Sequence, residues 1–148
     1  MVEVLLVDLY LLMEKQQVIF RDLGKMEYQA AWDYQEKLLQ ENVRKKSEIR
    51  NMKSEANPID SDTSHYLLFV EHPPVYTLGK SGNMDNVLLN EEELKEKEIR
   101  FFSTNRGGDI TFHGPDQLVG YPLLDLEKFY TDIGRYLRNL EEVIILTL

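Results

Sequence analysis

The alternation of apolar and polar positions divides the chain into a small number of elements. After an apolar stretch from Val4 to Leu12, residues Val18 to Leu23 have strand composition and are closed by Gly24. From Glu27 the period changes. Ala31, Tyr34 and Leu38, with Leu39 and Val43 one row over, recur at three- and four-residue steps and predict an amphipathic helix. The periodicity is lost over residues 44–65, which collect charges and then Asn57-Pro58 and Asp60-Ser61-Asp62, predicting a frayed helix end and an exposed polar insertion. Tyr66 to Val70 is a continuous apolar run of strand length, consistent with burial on both faces. His72-Pro73-Pro74 interrupts it, since two prolines donate no ladder hydrogen bonds, before a second short strand at Val75 to Leu78.

Glu91 to Glu98 reads as a short charged helix anchored by Leu94, and Ile99 to Phe102 as a strand. Residues 106–117 hold three of the eight glycines, the composition of a shaped loop, and lead into an apolar strand from Leu118 to Leu124. The last pattern is helical. With Asp125 as N-cap it places Phe129, Ile133, Tyr136, Leu140, Val143 and Ile144 on one face. Strands and helices interleave without regular βαβ alternation, which predicts an α+β domain with a mixed β-sheet flanked by helices, a single domain over residues 1–148.

Composition narrows the chemistry. A chain of 148 residues with 43% hydrophobic content can bury a core, and a net charge of −9 without a basic stripe argues against nucleic acid as a partner. Zero cysteines exclude disulfides, thiolate metal sites and a cysteine nucleophile within the chain. The apolar opening, Met1 to Met13, has no basic start and carries Glu3 and Asp8, so it does not read as a signal peptide; no run reaches the length of a membrane span. No membrane association and a cytoplasmic location are the expectation. The three histidines lack ligand spacing, so no metal is expected. Gly79-Lys80-Ser81 imitates the end of a phosphate-binding loop, but Pro74 stands where that motif needs glycine. No Gly-x-Ser-x-Gly elbow marks an activated serine.

The densest chemistry lies in Arg106, Gly107, Gly108, Asp109, Ile110, Thr111, Phe112 and His113. Paired glycines allow close approach to a ligand and expose N–H groups, and Arg106 supplies a donor fork for a carbonyl, carboxylate or phosphate. In extended chain, Asp109, Thr111 and His113 share one face, with Ile110 and Phe112 on the other. A hairpin with glycine turns and a hydrogen-bonded histidine accounts for the same residues equally well.

Two long motifs in order, Glu71-His72-Pro73-Pro74-Val75-Tyr76-Thr77-Leu78-Gly79-Lys80 and Arg106 to Pro115 followed by Gln117-Leu118-Val119-Gly120-Tyr121-Pro122, resemble the octanoyltransferase family, the lipoyl(octanoyl) transferases of lipoate biosynthesis. Asp22-Leu23-Gly24, Tyr28, Ala31-Trp32 and Tyr34-Gln35-Glu36 resemble that family's opening strand and helix, so the likeness runs from about Val18 onward and residues 1–16 stand as an extension, with Met13 as an alternative initiator. The resemblance implies the biotin/lipoate ligase catalytic fold and acyl transfer without ATP or another cofactor. An octanoyl group passes from acyl carrier protein to an enzyme cysteine, whose pKa a neighbouring lysine lowers. It then passes to a lysine of the lipoyl domains of 2-oxoacid dehydrogenases or of the glycine-cleavage H protein. By the same resemblance, Arg106 to His113 form one wall of the acyl pocket.

The family's cysteine and lysine lie beyond the matched motifs, so the resemblance implies an incomplete catalytic domain, pocket wall present and catalytic residues absent. The expectation is a chain inactive by itself and prone to self-association. Asp116 stands where the family has glycine, which places a side chain at a turn. Two alternatives are a non-enzymatic acyl-binding module and an ATP-dependent lipoate or biotin ligase; the biotin ligase Gly-Arg-Gly-Arg pattern is absent, and the two-glycine Arg106-Gly107-Gly108 followed by Thr111 to Pro115 fits the transferase better than a lipoate ligase's three-glycine loop.

Overall fold

A computed structural model describes residues 16–51 and 62–147 of the chain. Strand β1 (Val18–Lys25) leads into helix α1 (Tyr28–Asn51), followed by β2 (His65–Glu71) and β3 (Val75–Leu78). Helix α2 (Glu91–Glu96), β4 (Arg100–Ser103), β5 (Ile110–His113), β6 (Val119–Leu123) and helix α3 (Ile133–Thr147) complete the order. The apolar opening Val4 to Leu12 lies outside the described residues.

The strands form two three-stranded sheets, each mixed. In the first, β2 is central, parallel to β1 and antiparallel to β6. In the second, β3 is central, parallel to β4 and antiparallel to β5. Each parallel pair needs a crossover, supplied by α1 and by the segment carrying α2. The α+β fold with mixed sheets flanked by helices is therefore as expected from the interleaved patterns. The Pro73-Pro74 break is what separates β2 from β3 and sends the chain from one sheet to the other.

The core follows from the predicted periodicity. Leu38 of α1 packs on Tyr66 and Leu68 of β2, with Leu23, Tyr34, Tyr121 and Leu123 around them. Leu68 is fully buried, as a central strand with neighbours on both sides and a helix above requires.

Two boundaries differ from the expectation. The segment 44–65 is not simply an exposed insertion: α1 continues to Asn51, and Thr63 and His65 are buried. Its charged residues are good helix formers, and they replace apolar packing by polar contacts. Asn42 brackets Ser64, its Nδ2 donating to the Ser64 carbonyl at 2.6 Å and its Oδ1 accepting from the Ser64 N–H at 2.9 Å. Lys46 reaches Asp125 at 2.8 Å and Glu127 at 3.1 Å. Likewise Asp125 caps a single 3-10 turn at Leu126–Lys128, not the final helix. Helix α3 starts at Ile133, where Asp132 accepts from the Arg135 N–H at 2.9 Å, and Phe129 instead packs edge-on against His65, 4.8 Å between ring centroids. Helix α3 buries none of its residues, and Ile133, Leu137, Val143 and Ile144 stand exposed along it.

Candidate functional site

The loop between β4 and β5 is bound to the turn after β3 by its carbonyl oxygens. Gly79 N–H donates to Asp109 O at 3.0 Å, Lys80 N–H to Arg106 O at 2.9 Å and Ser81 N–H to Gly108 O at 3.3 Å. Gly79 is required there, because a Cβ at that position would lie 2.3 Å from the Gly108 oxygen. These three amides are thus directed at the protein itself, which removes the phosphate-loop reading of Gly79-Lys80-Ser81 on structural grounds as well.

Arg106 is turned inward. One Nη donates to Thr77 O and Thr77 Oγ1, both at 2.8 Å, and to Thr111 Oγ1 at 2.9 Å; the other donates to Gly107 O at 2.9 Å. The expected ligand fork is instead a clamp that ties β3, β5 and the glycine loop together. Thr77 is wholly buried, so Arg106 satisfies polar atoms with no access to water.

This anchoring orients the loop's amides. In a planar trans peptide the N–H of one residue is antiparallel to the preceding C=O, and the chain has no cis peptide bond among the described residues. The carbonyls of Arg106, Gly107 and Gly108 are held by Lys80, Arg106 and Ser81, so the N–H groups of Gly107, Gly108 and Asp109 point away from the groups that hold the loop. Gly107, Gly108 and Asp109 are exposed, with Gly108 at φ 84°. Successive outward amides with a guanidinium behind them favour an anionic or partly anionic oxygen.

Of the predicted one-face set, Thr111 and His113 alternate along β5 and share a face, whereas Asp109 lies outside the strand. Asp109 precedes β5 and its carboxylate accepts from the Asn83 N–H at 3.1 Å and from Asn86 Nδ2, fastening the 83–86 turn. Thr111 belongs to the Arg106 clamp. Ile110 pairs with Leu78, and Phe112 lies 5.1 Å from the Tyr76 ring and remains exposed.

His113 joins a separate cluster that sequence reasoning missed. Its ring stacks on Tyr28 at 6.4 Å and meets His72 edge-on at 5.8 Å, with Phe102 5.3 Å from Tyr28. His72 is buried, with Nδ1 at 2.8 Å from Met26 O and Nε2 at 2.9 Å from Tyr121 Oη. A carbonyl only accepts, so Nδ1 carries the proton and Nε2 accepts from the tyrosine. Burial lowers the His72 pKa from its ordinary value and pushes the Tyr121 hydroxyl up to about 12. These residues stand on α1, β2 or its exit, β4, β5 and β6; only contact through space unites them, although His72, Tyr121 and Tyr28 all lie within or beside recognisable motifs. No group of three or more His, Cys, Asp or Glu side chains suited to a metal occurs among the described residues.

The turn after His113 carries its own strain. Gln117 N–H donates to Gly114 O at 3.3 Å across Pro115 and Asp116, and Asp116 has φ 64°. That conformation costs a non-glycine residue energy, though less for Asp than for most. Asp116→Gly is therefore expected to raise stability by roughly 0.5 kcal/mol, the relief of strain being partly offset by glycine's greater chain entropy. The midpoint of urea unfolding measures it; a drop in midpoint would mean that the aspartate side chain stabilises the turn.

A groove of about 570 Å³ lies between α1 and the end of β6, lined by Trp32, Leu39, Val43, Leu123 and Lys46 among others. Asn105 reaches it, but none of Arg106 to His113 does. Among the described residues no helix is long and apolar enough to cross a membrane.

Two mixed sheets flanked by helices, with a clamped glycine loop between strands, make this an α+β domain of the kind that lipoate ligases use for catalysis. The chain belongs to the lipoyl protein ligase A/B catalytic domain family, whose model matches residues 27–148. It is 56% identical over 133 residues to an octanoyltransferase of Flavobacterium johnsoniae, covering 90% of this chain and 55% of that protein. It is 57% identical over 128 residues to an octanoyltransferase of Flavobacterium psychrophilum, covering 86% and 53%, and 49% identical over 133 residues to one of Cytophaga hutchinsonii, covering 88% and 52%. The chain spans about half the length of the curated relatives it matches.

Proposed function

We propose that this chain supplies the acyl-binding wall of an octanoyltransferase that moves an octanoyl group from acyl carrier protein to a lysine of lipoyl domains or of the glycine-cleavage H protein, in the cytoplasm. The observation that carries the reading is the glycine loop whose Arg106, Gly107 and Gly108 carbonyls are held by Lys80, Arg106 and Ser81, which turns the amides of Gly107, Gly108 and Asp109 away from those donors. Attack on a thioester carbonyl places negative charge on its oxygen, and preorganised N–H donors stabilise that charge without having to reorient. Similarity to proteins named octanoyltransferase supports the acyl group's identity. A covalent thioester step needs a thiol, and these 148 residues contain no cysteine. Acting alone, the chain binds the acyl group and does not transfer it. Residues 1–148 form part of one catalytic domain in this reading, and the bare apolar face of α3 supports self-association of the isolated chain.

The test is an amide ¹H–¹⁵N NMR titration of the chain with octanoate. The amides of Gly107, Gly108 and Asp109 are expected to shift together and saturably, with Gly107→Val abolishing the response. Shifts confined to residues around the α1–β6 groove would overturn the assignment.

A further inference from the structure

We propose that Gln117 is a positioning residue that sets the tautomer of His113, leaving Nε2 as the unprotonated ring nitrogen offered to a donor group on the bound substrate. The turn delivers it: Pro115 fixes one backbone angle, Asp116 adopts positive φ, and the chain folds back so that Gln117 lies beside the residue four positions earlier. Gln117 Oε1 lies 2.7 Å from His113 Nδ1. An amide oxygen only accepts, so Nδ1 carries the ring proton; a neutral imidazole has one, and Nε2 is left with its lone pair.

The rest of the cluster fixes the ring and leaves this nitrogen as the distinctive one. Tyr28 lies parallel to the His113 ring, 14° between planes, and His72 meets it at 63°. His72 cannot take the same part, because both of its nitrogens are occupied, by Met26 O and by Tyr121 Oη. His113 is half-buried at the end of the strand that starts from the glycine loop, so the accepting nitrogen and the outward amides share one short segment. In acyl transfer the attacking amine of a lysine is such a donor. That use rests on the proposed function; the tautomer does not.

The decisive measurement is a long-range ¹H–¹⁵N spectrum of the histidine rings at pH 8. Wild-type chain is expected to show His113 with protonated Nδ1 and pyridine-like Nε2. Gln117→Glu, which retains an accepting oxygen, is expected to keep that pattern. Gln117→Leu is expected to shift His113 towards the Nε2–H form that free imidazole side chains prefer. His72, locked independently, should remain Nδ1–H in all three and reports that the cluster is folded; if the leucine variant does not fold, the wild-type and glutamate spectra still decide. A wild-type His113 protonated on Nε2, or a leucine variant with unchanged tautomer populations while His72 is intact, would overturn the proposal. Failure of octanoate to shift the glycine amides would count against the acyl site and leave this result standing.

Discussion

Arg106→Ala is expected to lower folding stability by about 3 kcal/mol, and Arg106→Lys to recover little of it. The guanidinium donates to the Thr77 carbonyl and hydroxyl, to the Thr111 hydroxyl and to the Gly107 carbonyl. Thr77 is inaccessible to solvent, so removal of the donor leaves a carbonyl and a hydroxyl buried without a charged partner. Each such loss costs roughly 1–3 kcal/mol. Lysine carries the charge but lacks the planar fork that reaches Thr77, Thr111 and Gly107 together. The urea midpoint, read at constant m-value, measures the loss. A loss below about 1 kcal/mol would return Arg106 to the role expected from sequence, a free fork for a ligand. The same variant should also loosen the outward amides, because their orientation depends on the carbonyls behind them.

The second large effect concerns pH. Stability is expected to fall as the pH drops below about 6.5, well before carboxylates titrate, with a slope of at most about 1.4 kcal/mol per pH unit from each of two histidines. Burial lowers the pKa of both His65 and His72 from the ordinary value of 6.5. Between the lowered folded-state value and 6.5 the unfolded chain binds the proton and the folded chain does not, so protonation favours unfolding. Geometry agrees with the sign. His65 Nδ1 accepts from the Asp125 N–H at 3.2 Å while Nε2 faces Gln16 Oε1 at 3.3 Å, so a second ring proton would meet a backbone donor. The nearby carboxylates Asp62 and Asp125 oppose the shift at His65, and the Met26 carbonyl and Glu27 oppose it at His72, but burial is the larger influence at each. Asp62 and Asp125 have depressed pKa values, so their contribution is lost only at lower pH, below about 3.8. Urea midpoints should therefore rise from pH 5 to 7.5; a flat profile, or one unchanged by His72→Gln, would contradict this.

Much of the fold was legible because burial is periodic. The apolar run Tyr66 to Val70 is the central strand of one sheet, and the Ala31, Leu38 face is the buried side of α1. Boundaries were less legible where polar contacts replaced apolar ones: Asn42, Lys45 and Lys46 extend α1 by binding the chain from Asp62 to Ser64 and Asp125, which no hydrophobic period encodes. The glycine loop stands out in the sequence by its composition, yet its arginine faces inward because Thr77, one strand away, needs a donor. The cluster of Tyr28, His72, His113 and Tyr121 was invisible for a related reason. Its members come from elements far apart in sequence, and only the packing of the two sheets against α1 brings them together.

The proposed reading is an acyl-binding wall in a chain that lacks the thiol needed for a thioester intermediate. It is tested most directly by incubating the chain with octanoyl-acyl carrier protein and an apo lipoyl domain and weighing both proteins by mass spectrometry. Neither the chain nor the lipoyl domain is expected to gain an octanoyl group. An octanoylated lipoyl domain above the level formed without the chain, or an octanoyl adduct on the chain itself, would contradict it.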